Sequence, residues 1–360
     1  MVSEVGTYHL VFRLLSDVFL LLPFLLLCSG CNSERTSKSE VGINSVKLAK
    51  EMPEVNYDIP MSSTSDVLHL FRLSAHLNPT SEASHRFRSI LLNERVFESY
   101  FPHEEFPFSR RGARKKKPSV ASFSDRGAES HVGQILATMA LVSEPLSSRI
   151  TMNDGESSLE QALRFAKDEC TLDGECDWLL IAFSTYLVGE RQWVNRFGDS
   201  ITIDEVTTSV LDSTLESASC NGTHTLYSLA HTLTIDSKHK LLSPSTRSRV
   251  VKRLLRASDK LTETQQSSGC WTYIHEFGGV SGDASLVQSL LLTSHHLEWI
   301  LAAPDHCRPN GAVIDRGKEF ILRSIRGRFP LQTQPGLCAY THCLGLLMLP
   351  HAHSNKVGLP

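Results

Sequence analysis

The sequence predicts an all-α protein whose helices are arranged as an α/α toroid, a barrel of alternating inner and outer helices. Three observations predict it. Apolar residues recur at spacings of three and four, no stretch sustains a period of two, and segments apolar on every side alternate with segments apolar on one side. Inner helices of a toroid touch protein all round while outer ones are half wet. A helical solenoid, the competing arrangement, repeats amphipathic pairs without a distinctly apolar set. At 360 residues, 41% hydrophobic and 21% charged, the chain has the composition of ordinary globular protein. A formal charge of −3 gives no basis for a nucleic-acid partner.

Residues 1–30 read as a targeting segment. The apolar run Val18 to Cys28 suits a signal peptide and is shorter than the roughly 20 residues a membrane-spanning helix needs. Leu27-Cys28-Ser29-Gly30-Cys31 resembles a bacterial lipobox, in which Cys31 becomes lipid-modified and the new N-terminus. Residues 31–60 are then a polar tether, and the expected location is the cell envelope as a membrane-anchored lipoprotein, with a secreted or periplasmic protein as the alternative. Of nine cysteines, seven lie beyond Cys31. In an oxidising space, Cys170 and Cys176 flank a loop short enough to close as a disulfide.

The folded domain is expected over 61–350, with a tail at 351–360. Ser65 to Leu77 opens it as a helix with Ser65 and Asp66 as caps, and Ala83 to Asn93 continues it. An insertion at about 102–127 carries Arg110, Arg111, Arg114, Lys115, Lys116 and Lys117 among prolines and a glycine, a pattern that reads as a solvated loop. Ala128 to Val142 returns to helical period. Ser157 and Glu160 form a capping box for the helix to Cys170, Cys176 to Val188 is a buried helix, and Asp204 to Leu215 is amphipathic. Gly222 starts an apolar segment with histidines. Ser243 and Pro244 start a long charged helix to Gln266 through a serine N-cap and a first-turn proline. Gly282 to Ala303, Val313 to Arg326 and Gly336 to Leu349 complete the set.

Arg256 to Trp271 carries a particular spacing: Arg256-Ala257, Lys260-Leu261, Gln265, Gly269 and Trp271. On physical grounds Gly269 closes the helix in left-handed geometry, Gln265 bonds the freed carbonyls and Trp271 covers the joint. The spacing resembles the QW repeat of squalene and oxidosqualene cyclases, with Lys260 where that repeat has an aromatic residue. Tyr340-Thr341-His342-Cys343, followed by Leu344-Gly345-Leu346, resembles a region of protein prenyltransferase β subunits, and Asp283-Ala284-Ser285 falls where those enzymes carry Asp-x-Cys zinc ligands. The resemblance covers roughly Cys220 to Leu349 and is nearest to bacterial proteins with prenyltransferase and squalene oxidase repeats. It implies the toroid and a lipid or isoprenoid ligand. The cyclases' Asp-x-Asp-Asp is absent, and a serine replaces the zinc-binding cysteine.

Chemistry is expected from three groups on the inner helices. His224, Tyr227 and His231 form one stripe, His295 and Glu298 are three apart with His296 pointing elsewhere, and Tyr340 and His342 lie near the start of the last helix. His224, His295, His296, Glu298, Tyr340 and His342 are therefore the catalytic candidates, with Glu298 orienting a histidine. The bland alternative makes them hydrogen-bonded core residues. Zinc is the candidate cofactor, with Cys220, His224, Asp283 and His342 as candidate ligands. Two functions follow: a toroid that binds or acts on an apolar or polymeric ligand at its mouth, or a membrane-tethered, non-catalytic binding or scaffolding domain.

Overall fold

The structure is a computed structural model that describes residues 61, 63–108, 131–213, 222–272, 285–325 and 334–348, with side chains of 337–347 in the last segment. The lipobox, the tether and the core of the basic insertion lie outside the described residues, as do Cys220, Asn221 and Asp283. Those described contain twelve α-helices, one short 3-10 turn and two two-stranded antiparallel hairpins, so the protein is all-α in its main elements. None of these helices is long and apolar enough to cross a membrane.

In chain order these are α1 (Thr64–Leu77), α2 (Glu82–Leu92), α3 (Glu94–Tyr100), α4 (Gln134–Leu141), the hairpin β1 (Arg149–Met152) and β2 (Gly155–Ser158), α5 (Leu159–Glu169) and α6 (Asp177–Tyr186). The hairpin β3 (Gln192–Val194) and β4 (Ser200–Thr202) precedes α7 (Ile203–Asp212), α8 (Thr223–His239), α9 (Pro244–Thr264), α10 (Leu286–Ala302), α11 (Gly311–Ile325) and α12 (Gln334–Met348). Packing follows a cyclic order: α1 lies against α4, α4 against α6, α6 against α8, α8 against α10, α10 against α12, and α12 against α1. The other large helices attach to these: α2 to α1, α5 to α4, α7 to α6 and α8, α9 to α8, α11 to α10 and α12.

Local signals explain most boundaries. Ser243 accepts from the Thr246 N–H and Pro244 opens α9, as the sequence predicts. Two caps differ by one or two positions. Ser63, not Ser65, caps α1 and forms a capping box with Asp66, and Ser158, not Ser157, caps α5, because the chain leaves β2 in extended geometry at Ser158. Buried residues run unbroken from Asp177 to Thr185 in α6, whereas α9 buries only Thr246, Val250, Leu254, Ser258 and Leu261. Cys170 and Cys176 are free, buried thiols and not a disulfide; the Cys176 thiol donates to the Thr171 carbonyl at 3.4 Å.

The Gln265–Trp271 joint works differently from the sequence expectation. Helix α9 ends at Thr264 with Gln265 extended, and Gly269 takes φ +92 in a separate turn. The Gln265 side chain donates to the carbonyls of Gly269 (3.0 Å) and Val313 (2.8 Å), so it binds the turn to α11. Trp271 serves the helix end instead, with Nε1 donating to the Leu261 carbonyl at 2.9 Å while its backbone N–H donates to Thr293 Oγ1 of α10 at 3.0 Å. Its ring is fully buried and packs over Gly317, where a Cβ would stand 2.9 Å from Cζ3.

Trp271→Ala is therefore expected to cost about 3 to 5 kcal/mol in chemical denaturation. Gly269→Ala is expected to cost about 1 to 3 kcal/mol from positive-φ strain alone, with a further cost because the new methyl would strike the Arg316 carbonyl. Lys260→Ala, whose ammonium pairs with the exposed Glu263, should change stability by less than about 0.5 kcal/mol.

Candidate functional site

Helix α10 positions the centre of the site. Ser285 caps it by accepting from the Gln288 N–H at 3.2 Å, so the helix begins at Leu286 and residues three apart share a face. His295 and Glu298 occupy the face turned toward α1, α8 and α12, and His296 occupies another. There Trp299 Nε1 donates to His296 Nδ1 at 3.1 Å and the Trp271 ring lies edge-on at 5.7 Å. Burial, with the nearby His295 adding to it, holds His296 well below the usual imidazole range. It is a neutral core residue, placed away from Glu298.

Glu298 gathers donors from three helices. Arg72 Nη2 of α1 donates to Oε1 at 2.9 Å, His342 Nδ1 of α12 donates to the same oxygen at 2.7 Å, and His295 Nδ1 lies 3.3 Å from Oε2. Arg72 also donates to the Tyr227 hydroxyl of α8 at 3.3 Å, with its guanidinium 5.3 Å from that ring's centre. Burial pushes the Glu298 carboxyl up, but Arg72, His342 and the histidine hydrogen bonds outweigh it and hold the group well below the usual carboxylate range. An ionised carboxylate only accepts, so both histidines must carry their proton on Nδ1. For His342, burial pulls the pKa down and Glu298, the larger influence of the remainder, leaves it above the ordinary imidazole value.

The imidazoles continue beyond Glu298. His295 and His342 stand 4.1 Å apart by ring centres, His342 and His69 4.7 Å, His295 and His224 5.3 Å, and His224 and His131 4.8 Å. His224 also lies edge-on to Trp178 at 4.9 Å, and His131 pairs with Glu175 at 2.9 Å. The candidates His224, His295, His342 and Glu298 are thus brought together. His231 turns toward α6, where Thr185 Oγ1 is 2.9 Å from its Nε2. Tyr340 is fully buried two residues from His342, on a different side of α12.

Three members escaped the sequence reading. Arg72 supplies the counter-charge, and His69 of α1 approaches Cys338 of α12, Nε2 to Sγ, at 3.4 Å. Burial raises the Cys338 thiol, but the charges of His69 and His342 and hydrogen bonds from His295 and His342 bring it well below the usual thiol range. Cys338 and His342 are four apart on one helix, a spacing the sequence displays. His69 and Arg72 have no such local signal.

The ligand set implied by the resemblance does not fit. The Ser285 hydroxyl is occupied as the α10 N-cap and offers no thiolate. Elsewhere, a groove of about 580 Å³ lies beside the α8–α9 turn, but of its lining Asp204 and Arg247 are bonded to that turn and Lys240 to the Ser237 carbonyl of α8. No protein-family model, curated protein or solved structure matches the chain.

Two predictions follow from these contacts. Arg72→Ala leaves a buried carboxylate without its main counter-charge and should destabilise by about 3 to 5 kcal/mol in urea unfolding, whereas Arg72→Ala with Glu298→Gln should cost less than the two single changes added together. The second concerns Asp177, the first residue of α6, where burial raises the pKa from 3.8 to about 6, Thr225 and His131 lower it and Glu175 raises it. The folded protein binds this proton more tightly than the unfolded one. The associated stability is present below about pH 3.8 and lost as pH rises through about 6, on the order of 3 kcal/mol. Asp177→Asn should remove that slope from melting temperatures measured between pH 4 and 7 and raise the value at pH 7.

Proposed function

We propose that the helices form an α/α toroid and that the protein binds, and acts on, a ligand with an apolar or polymeric body, of lipid or isoprenoid type, at the toroid's inner face. The cyclic packing order from α1 through α12 and back to α1, with amphipathic helices attached to its members, supports the arrangement. The observation that carries the function is the convergence on Glu298 of Arg72, His295 and His342, from three helices, in a mostly buried site. Buried ion pairs add little stability over apolar side chains of similar size, and strongly perturbed ionisable groups gathered in one place are the material working sites are made of. Glu298 would orient the imidazoles, and His295 and His342 would exchange protons with a ligand held beside them and Tyr227. Prenyl transfer by the resemblance's zinc site is not part of the proposal, since Ser285 caps a helix.

Native mass spectrometry of the purified chain should detect a bound lipid or isoprenoid that His224→Ala releases while the melting temperature stays within about 2–4 °C, a shift corresponding to no more than about 1 kcal/mol. A chain that neither carries nor takes up such a ligand would give the lead to the non-catalytic scaffolding reading, which the Ser285 cap favours. The envelope location is also proposed: the mature N-terminus should be an acylated Cys31, and an unprocessed Met1 peptide in the mature protein would refute it.

A further inference from the structure

The cluster contains more nitrogen and sulfur than a carboxylate-oriented acid–base site needs. One donor atom each from His69, Cys338 and His342 lie within 4.8 Å of one another. Around a tetrahedral zinc ion, with bonds of about 2.3 Å to sulfur and about 2.0 to 2.1 Å to nitrogen, a sulfur and a nitrogen ligand stand about 3.6 Å apart. The distance from His69 Nε2 to Cys338 Sγ is 3.4 Å. His342 has its Nδ1 on Glu298, so Nε2 is the nitrogen left to ligate a metal, which would displace any proton it carries. That Nε2 is buried, in a residue only 4% exposed. The carboxylate behind the imidazole is the arrangement that metal-ligating histidines use to fix their tautomer and raise their basicity.

We propose that His69, Cys338 and His342 form a binding site for a divalent transition metal ion of the zinc class, with Glu298 holding His342 in the ligating tautomer. Two imidazoles and one thiolate suit zinc and exclude calcium and magnesium, which take oxygen. Helical spacing places Cys338 and His342 on one face of α12, and the α1–α12 contact brings His69 to them. Only His342 is shared with the zinc ligands expected from the sequence: neither His69 nor Cys338 belongs to that set, and Ser285 takes no part. Three protein ligands leave a fourth position for water or a ligand group, as in catalytic zinc sites. The inference rests on reading the inner cluster as a working site, but its measurement is metal content, which does not depend on any lipid.

The full chain, stripped with a strong chelator, reloaded with zinc and desalted, should retain one zinc per chain by inductively coupled plasma mass spectrometry. Cobalt in place of zinc should give a thiolate charge-transfer band. Glu298→Gln should weaken zinc binding about 10- to 100-fold, and Cys338→Ser and His69→Ala should weaken it further, while His231→Ala, whose ring faces Thr185, should leave it unchanged. Should Cys338→Ser or His69→Ala fail to fold, the unmutated chain gives the answer: zinc should slow alkylation of Cys338, read by peptide mass spectrometry. A chain that retains no zinc, retains it in both folded ligand variants, or alkylates at Cys338 at the same rate with and without zinc would leave only a thiol–imidazole hydrogen bond and overturn the proposal. A chain that binds lipid but no zinc would sink this inference and spare the proposed function. One that binds zinc but no lipid would do the reverse.

Discussion

A single, largely buried carboxylate ties α1, α10 and α12 together. Glu298 on α10 is ionised against the cost of its burial because Arg72 and His342 face it from α1 and α12. Removing either charge would strand the other in a low-dielectric interior, which is far more costly than never having placed the pair there. The helices that bear these groups are consequently fixed in rotation about their axes. The face of α12 that offers His342 to Glu298 also offers Cys338 to His69.

A second joint stabilises the same region by different means. Trp271 ties the end of α9 to α10 and packs over Gly317 of α11, using two hydrogen bonds and a large buried ring. Its neighbour across the packing is His296, whose neutral imidazole accepts from Trp299. Two adjacent histidines of α10 therefore have opposite environments: His296 is part of an apolar joint and His295 part of a charged cluster. This division lets one face be optimised for packing while the other carries a costly polar group.

The helices were legible because their signals are local. The Ser243-Pro244 start of α9 and the unbroken apolar run of α6 needed only neighbouring residues, and the one-residue shift from Ser157 to Ser158 arose because two serines stand together at the end of a strand. His295, Glu298 and His342 were legible as polar residues on apolar helices. His69 and Arg72 were not, because they sit on α1 with their partners 226 to 269 residues away, and no periodicity links positions that far apart. Cys338 carries a local signal, since it precedes His342 by one helical turn. Cys220 and His224 show the same spacing; Cys220 lies outside the described residues, and His224 keeps company with Trp178, His131 and His295.

The meeting of α1 with α12 has a consequence for synthesis. His69 leaves the ribosome 269 residues before Cys338, so the nascent chain carries α1 and then α10 with the faces that α12 will cover still exposed. Arg72 meets Glu298 only after 226 more residues have been made. Contacts of such long range form last, because loop closure must be met before they contribute. A premature stop between Ala302 and Cys338 would thus remove the thiol and an imidazole together and leave uncovered the faces of α1 and α10 that α12 packs against. A truncated product would be recognisable to chaperones and proteases by the surface it fails to bury.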